Sequence, residues 1–127
     1  MQNEPIQPIV EIETTDEFDR RSKTLTKKYR NLKSDLEPLT IALQSGETPG
    51  DILTGLEILV FKVRVSNSDL SRGKSGGYRV IYYVVLPTKI ALLTIYAKSE
   101  QENISPKEIG RIVAAFNGRN DAKIDDA

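Results

Sequence analysis

The chain reads as a single α+β domain: an N-terminal strand and a helical hairpin packed on a small antiparallel sheet, followed by a C-terminal helix. Three observations predict it. A long apolar stripe at helical spacing fills the first third, three β-rich runs separated by turn signals fill the middle, and a strongly capped helix start lies near the end. At 127 residues the chain suits one hydrophobic core, expected over about residues 9–118 with loose termini.

Residues 9–13, IVEIE, alternate apolar and polar side chains as a strand with one buried face does. Thr14 and Glu17 have the spacing of a capping box, and the apolar positions that follow are Phe18, Leu25, Tyr29, Leu32, Leu36, Leu39 and Leu43. Steps of seven, four and three align these on one helical face, the signature of a core-packing stripe. Ser34 with Glu37 forms a second capping box and Pro38 suits a first helical turn, so the stripe is expected to break into two helices near Ser34. The turn-forming run SGETPGD, residues 45–51, ends the helical region.

EILVFKVRV (57–65), GYRVIYYVVL (77–86) and KIALLTIYA (89–97) are rich in β-branched and aromatic residues, and Pro87-Thr88 has hairpin length, so an antiparallel meander is expected. Ser105-Pro106-Lys107-Glu108 supplies an N-cap serine, a proline at the first helical position and a glutamate two residues on. Ile109, Ile112, Val113 and Phe116 give that helix its buried face. Gly118 is expected to cap it, with the polar tail fraying beyond.

Cysteine and histidine are both absent, which removes disulfides, thiolate catalysis, Cys/His zinc sites and Ser-His-Asp triads. No apolar run reaches the ~18 residues of a membrane helix. The start, MQNEPIQPIVEIE, is acidic where a signal peptide is basic, so a cytoplasmic protein with no membrane partner is expected. Formal net charge is zero, yet from Lys62 to Lys98 seven basic residues stand against one acid, Asp69, a net +6. Such a window suits a polyphosphate, and neighbouring tyrosines suit stacked bases.

Alternation places Lys62 and Arg64 on one face of their strand, opposite Phe61, Val63 and Val65. Arg79, Ile81 and Tyr83 likewise share a face, opposite Tyr78, Val80, Tyr82 and Val84. Burying an unpaired guanidinium is costly, so the cations are expected on an open face and the helices on the other. Between the two strands, Gly73, Gly76 and Gly77 let the backbone approach a phosphate while Arg72 and Lys74 add charge. Gly73-Lys74-Ser75 looks like the end of a nucleotide-binding phosphate loop. The first glycine of that motif would fall at Ser68, however, and a strand follows where a helix is required.

The segments KVRV, RGKSGGYRVIYYV, LLTIYAKSEQENIS and EIGRIV together resemble the RelE/ParE superfamily of bacterial toxins, in particular its HigB-like branch, over roughly residues 16–116. The resemblance implies a ribosome-dependent endoribonuclease that cuts translated mRNA and is held inactive by a cognate antitoxin, with no metal or cofactor. It implies attack by a ribose 2′-hydroxyl on its own 3′-phosphate, which requires a base, charge stabilisation and an acid for the leaving oxygen. By motif position Arg79 is then the phosphate clamp, Arg64 its assistant and Lys62 a base or acid tuned by neighbouring cations. Lys98 and Glu100 match a Lys-x-Glu of the HigB-like branch, and the resemblance implies a catalytic role for both. Arg72, Lys74, Gly76, Gly77 and Tyr83 are expected to contact RNA. Ser99 and Ser105 depart from the RelE branch, which has an arginine and then a tyrosine there. ParE-like relatives, which share the fold, poison DNA gyrase, and a catalytically weak antitoxin-binding module is a third reading.

Overall fold

Three of the expected strands pair as a meander, and the rest of the molecule is arranged to cover them. The computed structural model describes residues 9–70, 76–101 and 103–125, the last six as helical backbone. Residues 1–8 and 126–127, expected to be loose, lie outside these. Chain order is β1 (Glu11–Thr14), α1 (Asp16–Lys28), α2 (Leu32–Gln44), β2 (Asp51–Ile52), β3 (Val60–Val65), β4 (Tyr78–Leu86), β5 (Lys89–Ala97) and α3 (Pro106–Asp125). The sheet order β1-β5-β4-β3-β2 puts β4 at the centre. The sheet is mixed, because β1 runs parallel to β5 with Glu11 opposite Lys89 and Thr14 opposite Leu92. β2 adds two residues to the far edge, too few to leave a period-two signal in the sequence.

The helices differ from expectation in four places, each with a local cause. Thr15, not Thr14, caps α1: its Oγ1 accepts from the Phe18 N–H at 3.0 Å and donates to the Leu93 carbonyl at 2.7 Å. The hairpin breaks at Tyr29–Asn31 rather than near Ser34, because Asp69 accepts from both the N–H and Nδ2 of Asn31, at 2.9 and 3.0 Å. Pro38 consequently lies inside α2, where its exposed position keeps the ring toward solvent while one helical hydrogen bond is forgone. Ser105 caps α3 through the Glu108 N–H at 3.1 Å, but Gly118 does not end it; glycine tolerates helical backbone, and the helix continues to Asp125.

Two cores lie on the two sheet faces. The helical stripe of α1 and α2 packs on Val63, Val65, Tyr78, Val80 and Tyr82. On the other face Ile109, Ile112, Val113 and Phe116 of α3 pack on Val60, Ile81, Ala91 and Leu93. That second face is the one carrying Lys62, Arg64 and Arg79, so the expectation of helices on one face and cations on the other is corrected. Ile81 shares the face of Arg79 and is fully buried, so that face too needs an apolar cover, which α3 supplies together with Leu53, Leu56, Ile58 and Ile104. Among the described residues no helix is long and apolar enough to cross a membrane.

The double role of the Thr15 hydroxyl gives a stability prediction. Thr15→Ala should cost about 2 kcal/mol in urea unfolding, since it removes a cap and orphans a buried carbonyl. Thr14→Ala should cost roughly 0.5 kcal/mol or less.

Candidate active site

The cations converge in one corner of the second sheet face, at the end that α3 leaves uncovered. Arg64 on β3 lies directly opposite Arg79 on β4, and Arg79 lies opposite Tyr96 on β5. Like charges facing each other across a ladder are destabilising unless an anion neutralises them. Among the described residues no carboxylate pairs with Arg64, Arg79 or Lys62, and Arg64 projects into solvent. Asp51 stands across from Lys62 in the β2–β3 register, yet the two form no ion pair. The corner is therefore electropositive and preassembled on strands.

Gly76 and Gly77 bring Arg79 and Lys98 together. Both glycines have positive φ, 113° and 59°. A Cβ on Gly77 would sit 2.4 Å from the Val65 carbonyl oxygen, and one on Gly76 would press on the Lys98 stem at 3.1 Å. The bend lets the Lys98 N–H donate to the Gly77 carbonyl at 2.9 Å. It also aims the Gly76 carbonyl at Arg79, whose Nη1 donates to it and to the Tyr78 carbonyl at 3.2 Å. The guanidinium is thereby held by one nitrogen. Among the described residues nothing accepts from its Nε or Nη2, which remain as a pair of donors in a fixed plane.

The segment after β5 crosses the same face and forms one wall of the corner. Lys62 Nζ donates to Asn103 Oδ1 at 3.3 Å, and Gln101 Nε2 donates to the Asn103 carbonyl at 2.9 Å. Arg21 on α1 donates from Nη1 to Gln101 Oε1 at 3.2 Å and from Nε to Glu17 Oε2 at 2.8 Å. Burial would raise the Glu17 carboxyl, but the hydrogen bond from Arg21 and the charges of Arg20 and Arg21 outweigh it and hold the group below its ordinary value. Glu100 turns to α1, where Lys28 Nζ donates to it at 2.7 Å, and this contact raises the Lys28 ammonium above its ordinary value.

Residues 15–124 match the family model described as the RelE toxin of the RelE/RelB toxin-antitoxin system. The chain belongs to this family. It is a toxin of a toxin-antitoxin system, and its class of partner is an antitoxin. No curated protein matches it in sequence.

Of the residues singled out in this RelE-family toxin, Lys62, Arg64, Arg79 and Lys98 come together in the corner. Gly76 and Gly77 shape it through backbone contacts. Tyr83 lies four residues along β4 from Arg79, about 13 Å at strand rise, and packs into the α3 core. Arg72 and Lys74 fall outside the described residues. Asn103, Gln101 and Arg21 were not anticipated. Their partners are as far as 80 positions away, and a lone polar residue in a loop carries no periodic or motif signal.

The Glu17 anchor makes the brace pH-dependent. Because this carboxyl is more acidic folded than unfolded, its stabilisation is present above about pH 4.5 and is lost as the pH falls through the folded value. Glu17→Gln should lower the urea midpoint at pH 7, and the gap from the wild type should narrow as the pH is taken toward 3.

Proposed function

We propose that this toxin is an endoribonuclease that cuts mRNA on the ribosome by metal-independent attack of the ribose 2′-oxygen on the adjacent phosphorus. The observation that supports this reading is the directly opposed pair Arg64 and Arg79, which no carboxylate among the described residues neutralises, with Lys62 beside them on β3 and Lys98 just past the end of β5. A corner of this charge, built where side-chain positions are fixed by the sheet, suits a phosphate that gains negative charge as it reacts.

Arg79 clamps the scissile phosphate. With Nη1 tied to backbone carbonyls, Nε and Nη2 can donate together to two non-bridging oxygens of the phosphorane. Arg64 adds charge from the opposite strand, and Lys98 adds it from the end of β5. Lys62 is the proton-transfer group, as base toward the 2′-hydroxyl or acid toward the leaving 5′-oxygen. The products are a 2′,3′-cyclic phosphate and a free 5′-hydroxyl. Glu100, engaged by Lys28 across to α1, stands at the wall of the corner beside Lys98 and completes the catalytic set. Arg72 and Lys74 grip ribosomal RNA.

Arg79→Lys tests this, because it keeps the charge and removes the planar fork. Single-turnover cleavage of a ribosome-bound message should slow by about 10²-fold, on the order of 3 kcal/mol of transition-state stabilisation. Ribosome affinity and the melting transition should stay close to wild type. Full activity would remove Arg79 as the clamp. Intact messages beside trapped gyrase-DNA complexes would favour a ParE-like activity.

A further inference from the structure

Lys62 reaches the corner on a side chain with four rotatable bonds, and a free lysine on an open face would spread its ammonium over many positions. Here it does not stand alone. We propose that Asn103 is a positioning residue for Lys62, set in place from α1 through Arg21 and Gln101; this rests on the ribonuclease reading above.

The hydrogen bonds fix the Asn103 amide without ambiguity. Its Oδ1 meets two donors, the Lys62 ammonium and the Ile104 backbone N–H, each at 3.3 Å, and only an oxygen can serve both. Behind it, the Gln101 amide uses both of its ends, donating to the Asn103 carbonyl and accepting from Arg21. Arg21 is in turn oriented by Glu17, a buried carboxylate one turn earlier on α1. The result is a continuous path from the core side of α1 to the lysine of β3.

The chemistry of the acceptor matters as much as its position. A neutral amide holds the ammonium in place while leaving its charge unneutralised for the substrate. A carboxylate in the same place would orient Lys62 equally well and cancel part of the field that attracts the phosphate. Asp51, the nearest such alternative in the ladder, makes no ion pair with it. A segment that needed only to be held could use its backbone, as the Asn103 carbonyl already does toward Gln101; the Asn103 side-chain oxygen is directed at a cation 41 positions away.

Two variants of the full chain, Asn103→Ala and Asn103→Asp, test the assignment in single-turnover cleavage of ribosome-bound mRNA across pH. Asn103→Ala should lower the rate at saturating ribosome roughly 10- to 100-fold, the range expected when a reacting group loses its alignment, with the half-saturating ribosome concentration unchanged. Asn103→Asp preserves size and the contact but places an anion on the ammonium, so the limb of the pH–rate profile that Lys62 carries should move to higher pH. A wild-type saturating rate in Asn103→Ala, or a profile for Asn103→Asp that superimposes on wild type, would overturn the assignment. In that case the ribonuclease reading still stands, provided wild type cuts and Arg79→Lys is impaired. A wild-type chain that leaves messages intact would overturn both.

Discussion

β4 is the central strand and is apolar on both faces, and the rest of the molecule is arranged around that constraint. Tyr78, Val80, Ile81 and Tyr82 are all fully buried, so neither side of the sheet can be left in water. Burying each such side chain is worth about 1.5–3 kcal/mol, which makes a cover on both faces the dominant requirement. The α1–α2 hairpin meets it on one side and α3 on the other. Arg79 interrupts the pattern at one end of the strand. A guanidinium there cannot be buried unpaired, so the cover stops short and a corner of sheet stays open. The site is thus a by-product of where the apolar alternation on β4 ends.

What refines that corner is contact between segments far apart in the chain. The glycine bend before β4 brings the backbone within reach of Arg79 and the Lys98 stem. Asp35 accepts from the Ser68 N–H at 2.9 Å, and Asp69 accepts from Asn31, so the start of the β3–β4 connection is tied to the α1–α2 turn. The same acids, after burial itself, push the Tyr78 hydroxyl up from its ordinary value. On the opposite side the segment following β5 is pinned to α1 by Arg21 and Lys28. Both walls of the corner are therefore anchored to the same helical hairpin, although Lys62, Arg64 and Arg79 themselves sit on strands.

The charge distribution shows the tension between stability and function. Placing Arg64 opposite Arg79 with no acid paired to either among the described residues works against folding, and neutral overall charge does nothing to relieve a local repulsion at this range. The stability is supplied elsewhere, by two apolar cores and a well-capped α1. A preassembled cluster of this kind has little reorganisation left to do on meeting an anion, as the proposed ribonuclease reading requires.

Periodicity in the sequence by itself determined the strands of the meander, the faces of their side chains, the core stripe of the helical hairpin and the Ser105 cap. These depend on spacing within one element, and residues a few positions apart have a fixed geometric relation in a strand or helix. The gathering of Lys62, Arg64 and Arg79 on one face was legible for the same reason. Only the tertiary structure decided that α3 shares that face, that Tyr83 belongs to its core, and that the hairpin breaks at Asn31. It also decided that Thr15 caps α1 by bonding to β5, that β1 runs parallel to β5, and that Asn103 holds Lys62. Each of these is a bond or contact between elements distant along the chain, and a pairing of that kind is selected by the packing of the whole molecule, which no local pattern encodes.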